Sequence, residues 1–365
     1  MAAATRGAAA ARSRPRRLRE GCVRRRLAVL MGGRSSEHEV SLSSAEAVIA
    51  ALDPARYEVI PVLIGRDGGW SVDGAPVALV PAPGGAPALA ALDGGPGRAV
   101  DAVFPVLHGP NGEDGVVQGA LETAGVPYVG AGVAASAIAM DKAMFKVFLR
   151  DAGIPTPEHR TVTEAEWRAD PGGVHARIAE RPGYPAFCKP ARLGSSVGIS
   201  PVPDAGALGD ALALAFRHDP KALVERAIAG REVEVGVLGE DDPVVSPAGE
   251  ITYDSDWYDY ATKYEPGRSR VQVPADLPEP VAERARELAL AAFRAVDCAG
   301  LARVDFFVAD GGEVLLSELN TMPGFTPTSV YATLMDAGGI AYPDLVERLV
   351  ELALARAAAA RRYAG

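Results

Sequence analysis

Scarcities narrow the chain first. Cysteine is rare: Cys22, Cys188 and Cys298 are the 3 in 365 residues, an odd count without metal-site spacing. That argues against a disulfide framework and suits a reducing cytoplasm. No apolar run approaches bilayer length, and 27–31 is far too short to make Arg16-Arg17 an export signal. Residues 1–26 are alanine-rich and set nine arginines against Glu20, a charge of +8 that, with −10 for the whole chain, leaves −18 on the rest. An acidic body lacks the clustered Lys and Arg that nucleic-acid phosphates require. There is no Walker A loop, Glu37-His38-Glu39 lacks the second histidine of a zinc helix, and no solenoid repeat is visible. Composition is otherwise ordinary for a globular protein, at 48% hydrophobic and 6% aromatic, and the length allows two or three domains. The basic tail 1–26 is expected to be disordered.

What is present has two textures. Strands expected at 27–31, 57–64, 102–107 and 128–129 alternate with helices at 40–52 and 116–124, the pattern of an α/β, doubly wound parallel sheet. Such sheets bind ligands beyond the carboxyl ends of their strands, where loops 32–39 and 108–115 fall. Gly130-Ala-Gly132-Val-Ala-Ala135 matches a dinucleotide fingerprint but lacks the acidic residue after a second strand, so a nicotinamide site is the weaker reading and a tight, closely packed turn the stronger. One helix is expected over 134–151, then a break at 153–157. Beyond it strands at 184–190, 222–227, 232–238 and 243–251, with a helix at 207–216, read as a smaller α+β unit. Residues 252–273 show no clear period but carry Tyr253, Trp257, Tyr258, Tyr260 and Tyr264, which points to a functional lid. Apolar residues from Val281 to Val296 and from Leu345 onward mark core-facing helices, and Cys188 reads as a small core residue.

Residues 301–320 form an expected hairpin about Asp310-Gly311-Gly312. With Ala309 opposite Gly312, Arg303 would face Glu318, and the period of two would put Asp305 and Asn320 on that same side. Two carboxylates and a carboxamide suit Mg2+, and the arginine could steady charge on a transferring phosphoryl group. A merely wet surface hairpin is the alternative. Lys189-Pro190 followed by Gly194-Ser195-Ser196-Val197-Gly198 offers a point charge and a phosphate-cradling loop, or an ordinary turn.

In chain order, Gly32-Gly33-Arg34-Ser35-Ser36-Glu37-His38-Glu39, His108-Gly109-Pro110-Asn111-Gly112-Glu113-Asp114-Gly115, Met140-Asp141-Lys142, the Lys189 and 194–198 pair, Tyr258-Asp259-Tyr260 with Lys263-Tyr264, Arg303-Val304-Asp305 and Glu318-Leu319-Asn320-Thr321-Met322-Pro323-Gly324-Phe325 with Ser329 make the chain resemble the ATP-grasp D-alanine-D-alanine ligases. The resemblance spans nearly everything after the tail. It implies an N-terminal α/β domain at 27–141, then a two-part α+β ATP-grasp fold with a central subdomain at 142–232 and a catalytic domain at 233–365 carrying lid 252–273. By the same resemblance Lys142, Lys189, Ser195, Ser196 and Lys263 would serve the ATP phosphates, and Glu225 and Glu232 the adenine and ribose. Asp305, Glu318 and Asn320 would bind two Mg2+, a place Mn2+ could also fill. Glu37, with His108 nearby, would take the first D-alanine ammonium, and Ser195 and Tyr264 would link Glu37 to the lid. Arg303 and the Gly324 N–H would stabilise the oxyanion, and Ser329 would hold the second carboxylate. The expected enzyme is a cytoplasmic homodimer without nucleic-acid or membrane partners. Its rivals are a D-lactate or D-serine ligase, against which Tyr264 speaks, and a non-catalytic nucleotide sensor. Ala261 and 332–335 depart from the family pattern.

Overall fold

The computed structural model describes residues 24–81, 87–253 and 269–363, arranged around three sheets. The first begins with Arg25–Gly32, buried on both faces: Leu27 and Val29 join one apolar cluster, Ala28 and Leu30 another. A doubly covered strand needs a continuous apolar run, and this one pairs in parallel with Tyr57–Ile64 and Ala102–Pro105. Tyr128 joins by a single parallel bridge to Val103. The parallel centre was legible; its continuation was not. Trp70–Val72, Ala75–Val80, Ala88–Ala91 and Arg98–Ala99 extend it to seven strands as an antiparallel meander. These strands are short and rich in alanine, so they carry little β-branched signal. Arg25 and Arg26, expected in the tail, instead open the first strand, and Arg26 grips Asp101 through Nε at 3.1 Å and Nη2 at 2.7 Å.

The second sheet is antiparallel, in the order Ser200–Val202, Ala186–Pro190, Lys221–Arg226, His159–Thr163, with helices Pro171–Glu180 and Leu208–Ala215 contributing to its core. Cys188 lies in that core, where burial pushes its thiol up to about 12 and leaves it inert. The third sheet runs Ser269–Gln272, Gly249–Tyr253, Gly230–Gly239, Gly300–Ala309, Val314–Asn320, covered by helix Glu279–Ala295 through Ala285, Leu288 and Ala292. The segment expected as one lid begins and ends as paired strands, with Tyr253 opposite Ser269. Its middle, with Lys263 and Tyr264, lies outside the described residues.

The single helix expected over 134–151 is two, Val133–Met140 and Lys142–Asp151. They break at Asp141, whose extended backbone lets its side chain accept from the Met144 N–H at 3.2 Å and cap the second helix. The last helix, Tyr342–Ala360, returns to the first sheet: Leu345 and Leu349 share a cluster with Leu27 and Phe104. The Gly130 motif marks another such meeting. A Cβ on Gly300 would stand 3.0 Å from the Gly130 Cα, so glycine at 300 permits the close backbone approach at this turn.

Candidate active site

The Gly300–Ala309 and Val314–Asn320 hairpin turns through three residues, with Gly312 at φ +82° and the Ala309 N–H donating to the Glu313 carbonyl at 2.9 Å. Ala309 therefore faces Glu313, not Gly312. That one-residue shift alone would turn Glu318 and Asn320 away from Arg303. A bulge corrects it: Phe306 pairs with Leu316, but Asp305 pairs with Glu318 and Arg303 with Asn320. The expected face is assembled, although Arg303 lies across from Asn320 and not from Glu318.

On that face Arg303 grips Asp305 with two bonds of 2.8 Å, and its Nε lies 2.8 Å from Glu234 Oε2. Burial disfavours the guanidinium charge, but Asp305 and Glu234 prevail and raise its pKa. Glu234 escaped the sequence reading, although its spacing from Glu232 puts both on one side of their strand. Asn320 Nδ2 donates to Asp305 Oδ2 at 3.0 Å. Among the described residues no group of three His, Cys, Asp or Glu suits a metal ion. The donors here are the Asp305 and Glu318 carboxylates and the Asn320 carboxamide, an all-oxygen set that fits Mg2+.

A cavity of about 180 Å³ lies between the second and third sheets, lined by Lys142, Lys189, Ser196, Glu225, Glu232, Asp305 and Glu318, with Phe187, Ile199 and Phe307 as apolar wall. The break at Asp141 starts a helix at Lys142, whose Nζ reaches Leu193 O at 2.9 Å and Glu318 Oε2 at 3.1 Å. Lys189 Nζ meets Glu225 Oε1 at 2.7 Å, and the other Glu225 oxygen meets Lys146 Nζ at 2.6 Å. Lys146 was not anticipated; it is wholly buried and also donates to Thr156 Oγ1 at 2.5 Å. Burial raises the Glu225 pKa, but the two lysines outweigh it and hold the carboxyl at about 2. Burial draws the Lys146 ammonium down despite Glu225, whereas for Lys189 burial is outweighed by Glu225 together with Glu318 and Glu232, and its pKa rises. Glu225, expected at adenine and ribose, lines the cavity with both carboxylate oxygens facing lysines, because a buried carboxylate demands counter-charge. Glu232 also lines the cavity and accepts from the Tyr253 hydroxyl at 2.8 Å.

A second cavity, about 480 Å³, is lined by Glu37, His108, Glu113, Ser195, Arg303, Asn320, Gly324 and Ser329 and shares Glu234 and Glu318 with the first. Ser195 Oγ donates to Glu37 Oε1 at 2.5 Å. Ser195 and Ser196 both hold left-handed backbone, at φ 53° and 57°, which turns adjacent side chains into different cavities. Glu113 lay unassigned within its motif. It accepts from the Gly109 N–H at 2.5 Å and the Met322 N–H at 3.2 Å, and burial, then Glu37, push it up to about 8 against those bonds. His108 lines this cavity, but both ring nitrogens are engaged, Nδ1 with Met322 O at 2.8 Å and Nε2 with Ser44 Oγ at 3.1 Å. It therefore offers no ring nitrogen to an ammonium. Ser329 Oγ accepts from the Thr326 N–H at 2.9 Å and stands at the start of helix Val330–Ala337. A Cβ on Gly324 would come within 3.4 Å of that hydroxyl. Ala332, Leu334 and Met335, where the chain departs from the family pattern, are buried core residues of the same helix. Ala261 lies outside the described residues.

Two family models match the chain: "D-ala D-ala ligase N-terminus" over residues 26–131 and "D-ala D-ala ligase C-terminus" over 148–351. The D-alanine--D-alanine ligase of Deinococcus radiodurans is 52% identical over 342 residues, covering 91% of this chain and 99% of that one. Its counterpart in Geobacillus kaustophilus is 44% identical over 351 residues, 92% and 96% of the two chains. The solved D-alanine-D-alanine ligase of Coxiella burnetii superposes with a TM-score of 0.83 at 34% identity, covering 93% of this chain and 97% of that one. VanG D-Ala:D-Ser ligase of Enterococcus faecalis follows at 0.81 and 35%, covering 91% and 100%.

Proposed function

The chain belongs to the D-alanine-D-alanine ligase family and joins two D-alanines with ATP for peptidoglycan synthesis, and we propose how its two cavities divide that work. Adenosine triphosphate occupies the cavity between the second and third sheets, its phosphates met by Lys142, Lys189 and Ser196 and its ribose by Glu232. Lys263, outside the described residues, completes the γ-phosphate contacts as the family resemblance implies. Asp305, Glu318 and Asn320 would hold two Mg2+, or Mn2+, which would supply neutralising charge to the triphosphate.

The first D-alanine lies in the second cavity with its ammonium on Glu37. Its carboxylate oxygen attacks the γ-phosphorus, and the bond to ADP breaks. The product is an acyl phosphate, a better acylating agent than the carboxylate. The second D-alanine, its carboxylate at Ser329 and the adjoining helix start, attacks with its free amine. Phosphate leaves, and the nitrogen loses a proton. Arg303 and the Gly324 N–H steady the oxyanion of that tetrahedral state. Ser195 holds Glu37 and, with Tyr264 outside the described residues, links it to the lid 252–273. Closure there would keep water from the acyl phosphate.

Glu318 carries this reading, because it lines both cavities and so marks where phosphoryl donor and acceptor meet. The second sheet lies wholly between 142 and 232, which supports a separate central subdomain, although strand Gly230–Gly239 of the third sheet runs across the limit at 232–233. Cytoplasmic location is supported by two buried free cysteines, and no helix among the described residues is long and apolar enough to cross a membrane. The homodimer rests on the family resemblance, and the absence of nucleic-acid partners on the acidic body.

The cavity assignment predicts a crossed pair of defects. Glu37→Gln raises the KM of the first D-alanine at least about 10-fold with little change for ATP, since a charged hydrogen-bond partner is lost there. Glu232→Gln does the reverse. Initial-rate kinetics with each substrate varied would overturn the assignment if both variants moved the same KM.

A further inference from the structure

We propose that Ser44 and His108 act as a positioning pair that fixes the Gly324 amide by holding the 322–325 backbone against the N-terminal sheet. This rests on the reading of Gly324 as an oxyanion donor. Gly324 has no side chain to anchor it, so its placement depends on its neighbours. Met322 O accepts from His108 Nδ1 at 2.8 Å, and the Phe325 N–H donates to Ser44 Oγ at 3.2 Å. Ser44 Oγ and His108 Nε2 stand 3.1 Å apart, which closes the chain. Pro323 has no N–H to place.

The directions of these bonds agree with one protonation state. A carbonyl only accepts, so Nδ1 carries a proton. Burial disfavours the imidazolium, so Nε2 is left as an acceptor for the Ser44 hydroxyl. The lone pairs of that hydroxyl then receive Phe325 N–H. All members are enclosed: Ser44 is 0% exposed, His108 3%, Met322 4% and Phe325 0%. Glu113 takes the Met322 N–H, and Tyr342 donates to Phe325 O at 2.7 Å, so the flanking backbone is held on both sides.

Ser44 belongs to helix His38–Ala51, which begins directly after Glu37. One rigid element thus sets both the ammonium contact of the first substrate and, through Ser44, the donor at its carbonyl. The two ends of a single D-alanine are registered against each other by seven residues of chain, a count read from Glu37 to Ser44. His108 is a positioning residue in this scheme and leaves the ammonium to Glu37.

The test uses Ser44→Ala, His108→Asn and the double variant of the full-length enzyme. Each single change is expected to lower kcat for dipeptide formation about 10- to 100-fold, the size associated with a misplaced or lost oxyanion donor, while the KM for ATP stays within about twofold. Exchange of the β,γ-bridge oxygen of ATP in the presence of D-alanine, which reports the phosphoryl step, persists. The double variant is no slower than the slower single one, because both break one chain. Ser44→Cys, with weaker hydrogen bonding in the same shape, falls between parent and Ser44→Ala. Hydrogen exchange at the Gly324 and Phe325 amides separates the two claims. Unchanged protection with unchanged kcat overturns the positioning pair; faster exchange with unchanged kcat upholds the pair and overturns the oxyanion reading. Multiplying losses in the double variant would also contradict a single chain.

Discussion

At Glu225 two ammonium groups converge on one buried carboxylate, and the residue behaves as their counter-charge. The folded carboxyl stands near 2 instead of 4.5, so its contribution to stability is complete above about pH 4.5 and is lost as pH falls toward 2. The shift corresponds to about 3 kcal/mol. Glu225→Gln is expected to destabilise the protein at pH 7 by about 3 to 5 kcal/mol, since Lys146 is left with an uncompensated charge, and to flatten the acid loss between pH 4.5 and 2. Urea unfolding followed across that range checks both; an unchanged acid slope contradicts the assignment. Sequence showed Lys142, Lys189 and the hairpin acids because motif and alternation announce them. It could not show Lys146 or Glu234, whose partners Glu225 and Arg303 come from distant strands and whose burial only the packed molecule reveals.

Among elements, the short break between Val133–Met140 and Lys142–Asp151 places Lys142 in the lining of the first cavity. Asp141 caps the second helix, pairs with Lys221, and so fixes where Lys142 begins. Asp141→Asn keeps the cap and loses the charge, whereas Asp141→Ala loses both. The alanine variant is therefore expected to lose about 1 kcal/mol of stability and to show a clearly raised KM for ATP, with the asparagine variant closer to the parent. Thermal midpoints and ATP kinetics decide; equal behaviour of the two would remove the cap from the account. The apolar period through 134–151 hid this break, because nothing in the spacing of Ala, Ile and Phe marks one extended residue. The hairpin was legible for a different reason. Its turn was misjudged by one residue and its bulge was invisible, but the two shifts share a direction and add to two, which preserves the face.

Across the whole molecule, the last helix completes the core of the first sheet, and Phe325, from the end of the hairpin, packs its ring 5.8 Å from Phe104 of that sheet. The motifs and their order were readable in sequence because chemistry fixes residue types. The contacts that join them, such as Ser44 with Phe325 and Arg356 with the carbonyls of Tyr128 and Gly130, were not, since they depend on how separate sheets meet. What results is two cavities with Glu318 in common, which we propose serve the phosphoryl donor and the amino acids. Release of ADP from ATP and Mg2+ on addition of D-alanine, compared between the parent and Glu318→Gln, tests that arrangement most directly. The account predicts one ADP per dipeptide in the parent and a rate at least about 100-fold lower in the variant, the loss expected when charge at a phosphoryl site is no longer neutralised. A variant that releases ADP and dipeptide at the parent rate would contradict it.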